Sequence, residues 1–71
     1  MDRAMLQRHL EEAERHVALG ERHIAEQEHI VAHFASLGYD TIEARKLLEN
    51  FYASQTQHLQ HRSRILRDLE L

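Results

Sequence analysis

The chain has 71 residues, no cysteine, no proline, two glycines and a formal net charge of −3. That length allows one small domain, and a chain so short covers only about 60% of its unfolded surface, so its core needs reinforcement from a staple or a second chain. Without cysteine there are no disulfides, thiolate metal sites or cysteine nucleophiles, and the mild negative charge argues against a surface built for nucleic acid. No apolar run approaches the roughly 20 residues of a membrane span, and MDRAMLQRHL lacks the apolar block of a signal peptide. The expectation is a soluble cytoplasmic protein.

The first element is a helix over about residues 2–37. Its apolar and small residues fall at alternating spacings of three and four: Leu6, Leu10, Ala13, Val17, Gly20, Ile24, Gln27, Val31 and Phe34. This is the seam of a coiled-coil-like helix. Within it ERHVALG, ERHIAEQ and EHIVAHF repeat one seven-residue unit from Glu14 to Phe34. One column of the seam (Leu10, Val17, Ile24, Val31) is aliphatic, and the other carries Ala13, Gly20 and Gln27. A glycine inside a helix costs about 1 kcal/mol relative to alanine, so Gly20 implies close packing against a partner.

Punctuation follows at residues 38–40. Gly38 suits the left-handed position just past a helix end. Asp40, with Glu43 three residues on, suits an N-cap with a capping-box partner. A second helix then runs over about residues 41–69, with Ala44, Leu48, Phe51, Gln55, His58, Arg62, Ile65 and Leu69 in the same spacing. Leu47, Tyr52, Leu59 and Leu66 lie beside that stripe and widen it.

A connection this short makes the helices antiparallel neighbours, with facing residue numbers summing to roughly 78. That rule sets Gly20 opposite His58, Val17 opposite Arg62 and Gln27 opposite Phe51. It also brings Glu14 to Arg64 and Glu21 to His58 as ion pairs. Arg62 becomes a buried polar layer that fixes register. The fold class is therefore all-α: residues 1–71 form one antiparallel two-helix hairpin. Two helices cover only one side of each seam. Met5, Leu19, Ile30, Leu47, Tyr52, Leu59 and Leu66 need further cover, which a second copy supplies in a homodimeric four-helix bundle.

Seven histidines are the residues that invite chemistry. His9, His16 and His23 recur every seven residues, about 10 Å apart along the axis, too far for one metal. They read as flank residues of the seam, or as a graded pH sensor. His29 with His33, and His58 with His61, have metal-compatible helical spacing, and the pairing rule gathers His16, His58 and His61. Each signal is weak alone, so no metal ligand, cofactor or catalytic residue is assigned. No phosphate loop or triad context is present, and the expectation is a protein that is not an enzyme.

The pattern H-L-x-E-A-E-R-H-V-x-x-G-E-R-H-I (His9 to Ile24), followed by G-x-D-T-x-x-A-R-x-L-L-x-x-F (Gly38 to Phe51), resembles a group of short alphaproteobacterial proteins. The resemblance implies a helical hairpin and a soluble bacterial protein, and it carries no functional residues with it. The architecture is also similar in shape to Rop-type RNA-binding hairpin dimers, and shape does not license function. The leading expectation is a small protein–protein interaction or regulatory module whose partners are itself and another protein. The alternatives are an RNA-binding hairpin dimer using Arg62, Arg64 and Arg67, and a histidine-based metal-binding bundle.

Overall fold

The computed structural model describes residues 2–70. It contains two helices, α1 (Arg3–Ser36) and α2 (Ile42–Glu70), packed side by side as a hairpin. The molecule is a rod of 53 × 14 × 13 Å, and its polypeptide is helical almost throughout because good helix formers dominate both segments. Asp2 starts α1: its side chain accepts a hydrogen bond from the Met5 amide at 2.8 Å, satisfying one of the free N–H groups at the helix start.

The end of α1 is a Schellman turn. The Tyr39 amide donates to the Phe34 carbonyl at 2.9 Å, and the Gly38 amide donates to Ala35 at 3.0 Å. Phe34 and Tyr39 close the motif through an edge-to-face ring contact at 5.9 Å. Gly38 takes φ = 75°, and it is the one positive-φ position among the described residues. A Cβ there finds open space, so the cost of replacement lies in the backbone alone. Gly38→Ala is expected to lower stability by about 1 kcal/mol, with Gly38→Asn costing less. Thermal melts followed by circular dichroism check this, and equal melting of Gly38→Ala and the parent chain contradicts it.

At the start of α2, Asp40 Oδ1 accepts from the Ile42 amide at 2.9 Å, and Thr41 Oγ1 accepts from Arg45 Nε. Glu43 does not reach back to complete the expected capping box; its carboxylate takes Lys46 Nζ at 3.4 Å instead. A lysine one turn along offers an exposed glutamate an opposite charge, which competes with the backbone amide. Glu43 still places negative charge in the first turn, where the helix dipole favours it.

Between the helices, all the seam positions read from the sequence are buried or half-buried. Outside them His9 and Thr41 are the other half-buried positions among the described residues. The centre is thin. Ala13, Val17 and Ile65 are the buried apolar residues, Gln27 and Gln55 are buried with them, and no side chain is wholly enclosed. Leu59 and Leu66 stand beside the seam and remain exposed.

Register differs from the expectation by about one seam position. Gln55, not His58, lies over Gly20, and Phe51 packs on His23, one turn before the Gln27 expected opposite it. Gln27 reaches the Ala44 carbonyl, and Gln55 reaches that of Val17. Amide side chains thus set the register, since each needs a partner once buried. The ion pairs of Glu14 with Arg64 and Glu21 with His58 do not form. Among the described residues the ion pair between fixed charges, Glu43 with Lys46, lies within α2, and the Glu12 carboxylate lies 4.0 Å from the His16 imidazole within α1. Long exposed side chains gain too little in water to hold one geometry.

Candidate functional site

Gly20 creates a notch in α1 because it has no side chain, and Gln55 of α2 fills it. Gln55 Nε2 donates to the Val17 carbonyl at 2.9 Å, and the residue is 7% exposed. Its Oε1 is buried without a hydrogen-bond partner and lies over Gly20. A Cβ on Gly20 would fall 1.8 Å from that oxygen. Toward the turn, Gln27 Nε2 donates to the Ala44 carbonyl at 2.9 Å, so each helix sends one amide across to the other's backbone. The sequence placed both glutamines in the seams without giving them this role. The signal that could have found it is an amide at a seam position set against small residues.

The notch opens onto a face lined by imidazoles. His16 of α1 and His58 of α2 meet across the hairpin with ring centroids 5.4 Å apart and planes tilted by 56°. His23 packs on Phe51 with centroids 5.6 Å apart. Together with Leu19 and Ser54 these side chains border a shallow concavity of about 290 Å³ floored by Gly20 and Gln55. A second concavity of about 270 Å³ adjoins it, bordered by His9, Glu12, Ala13, His16 and His61. Five of the seven histidines therefore share one face, and His16 belongs to both hollows.

The expected gathering of His16, His58 and His61 is met in pairs only: His16 meets His58 ring to ring, and it borders the second hollow with His61. His61 lines the neighbouring hollow, and among the described residues no three histidine, aspartate or glutamate side chains converge on one point. A helix brings residues three apart to one side but a full turn along, so His61 follows the groove beyond His58. His29 and His33 stack on α1 with centroids 6.4 Å apart and planes 8° from parallel.

The flank bearing Tyr52 has a different character. Tyr52 Oη donates to Glu28 Oε2 at 2.8 Å. That hydrogen bond holds the phenol above its ordinary value near 10, aided by desolvation and by the charge of Glu28. Tyr52, Leu59 and Leu66 follow at heptad spacing along α2 and are exposed. Arg62 sits in the seam, half-buried, with Nε fully covered and unbonded.

These features define an all-α antiparallel hairpin with an amide-locked seam and a histidine-lined face. Comparison with protein families, curated proteins and solved structures finds no match to this chain. Of the resemblance drawn from the sequence, the helical-hairpin architecture is the part the structure supports. No helix among the described residues is long and apolar enough to cross a membrane.

Proposed function

We propose that the hairpin is a small, non-enzymatic interaction module that pairs with a second copy as a four-helix bundle. The observation that carries this reading is surface left uncovered. The chain exposes 5470 Å², against about 4,600 Å² for a compact monomer of its mass. The difference is close to the ~800 Å² that one partner contributes to a standard interface. Tyr52, Leu59 and Leu66, at 43%, 38% and 40% exposure, supply an apolar stripe for it.

Charge supports a copy of the same chain as the occupant. Residues 1–37 hold seven acids and four arginines, while the span from Asn50 to Arg67 has no acid. A two-fold pairing lays α1 of one copy beside α2 of the other, so opposite charges meet along the rim, where they steer association more than they stabilise it. An RNA-binding role for Arg62, Arg64 and Arg67 is less well supported, because Arg62 is drawn into the seam. The absence of cysteine and the sequence resemblance support a bacterial, cytoplasmic setting.

Sedimentation equilibrium tests the pairing. Twice the 8.4 kDa chain mass is expected at high micromolar concentration, and Leu59→Lys with Leu66→Lys should return it to a single chain. A strictly single-chain mass for the parent protein throughout that range overturns the reading.

A further inference from the structure

We propose that His16 and His58 form a site for a divalent transition-metal cation of the zinc, nickel or copper class, held between the two helices. Imidazole suits these ions. Two imidazoles on a tetrahedral ion, with metal–nitrogen distances of about 2.0–2.1 Å, place their ring centres about 5 Å apart. The pair stands at 5.4 Å with its planes tilted, already near that arrangement. His58 also lacks another occupation: it holds a half-buried seam position, yet its ring makes no hydrogen bond or ion pair within the described residues.

Water completes the ion's shell, since among the described residues no third histidine or carboxylate converges on the pair. His16 is exposed at the edge of both hollows, so an ion reaches it without any opening of the hairpin. The stacked His29–His33 pair is the contrasting case. Its rings are parallel and 6.4 Å apart on one helix, so both must turn before they chelate, and an ion there ties α1 only to itself. An ion on His16 and His58 ties α1 to α2, which is the contact whose loss unfolds the molecule. This site requires one hairpin only and does not depend on pairing between copies.

The test uses the tag-free chain with zinc chloride as the sole added cation, read by calorimetric titration and thermal melting. Saturable micromolar binding of one zinc per chain is expected, with a rise of several degrees in melting temperature. Both effects should vanish when the zinc is withdrawn with EDTA. His16→Ala, at an exposed position, should weaken binding at least about 10-fold, the scale seen when a metal site loses one of its supporting groups. Circular dichroism verifies that this variant keeps its helices. His58→Ala should do the same, and the paired His29→Ala and His33→Ala variant should bind as the parent does. No heat up to millimolar zinc overturns the proposal. So does parent-like binding by His16→Ala, or loss of binding confined to the His29/His33 variant.

Discussion

Gly20→Ala should destabilise the protein, although the same change on a free helix surface stabilises. The helix itself gains about 1 kcal/mol from the replacement. Against that gain, the new Cβ occupies the place of Gln55 Oε1, 1.8 Å away. Gln55 must then leave the notch, which breaks its bond to the Val17 carbonyl and opens the seam where it was packed. Losing a buried hydrogen bond and forcing a side chain out of a packed site together cost about 2–4 kcal/mol, so the net loss is about 1–3 kcal/mol. Gln55→Ala alone should also destabilise, by about 1–2 kcal/mol, through the lost bond and the empty notch. The sign of the glycine effect should then reverse. In a Gln55→Ala background the notch is vacant, and Gly20→Ala should become stabilising. Urea unfolding of the parent, both single variants and the double variant closes the cycle. A Gly20→Ala protein more stable than the parent would show that the amide does not depend on the notch.

The second large effect is expected at Ile65. It is 5% exposed and is the largest of the three buried apolar residues, the others being Ala13 and Val17. Truncation to alanine removes three carbons from a place that two rigid helices cannot close, a change that costs about 2–4 kcal/mol. A chain of this length has about 4–10 kcal/mol in total. Ile65→Ala should therefore lower the melting temperature by about 8–30 °C, at about 4–8 °C per kcal/mol. Leu66→Ala, one residue along and 40% exposed, should cost less than about 1 kcal/mol at low micromolar concentration. Equal losses for the two variants would mean that the seam does not carry the stability.

Much of this was written openly in the chain. The alternating three- and four-residue spacing marked the helical seams, because burial on a helix face has no other period. Gly38 and Asp40 marked the turn, since a left-handed backbone position and an N-cap each have few residue choices. Register was less legible. Counting back from the turn gave Gly20 a large polar neighbour but chose His58 where Gln55 stands, because spacing cannot rank a glutamine against a histidine for one notch. The cross-helix ion pairs misled for a related reason: opposite charges at the right level do not meet when water serves each as well. At the candidate site, His16 and His58 were within reach by pairing, while His61 was not separable from them without the side-chain directions.

No ion pair crosses from α1 to α2 among the described residues; the helices are joined by apolar contact, by two glutamine amides and by the Arg3 and Tyr52 hydrogen bonds. Ionic strength acts on exposed charges and barely on neutral groups sealed in a seam. Closure of the hairpin therefore feels added salt only through its two exposed cross-helix bonds, which use the Arg3 guanidinium and the Glu28 carboxylate. A salt response larger than these two exposed bonds supply accordingly reports contacts between molecules, and it offers a way to watch association apart from folding.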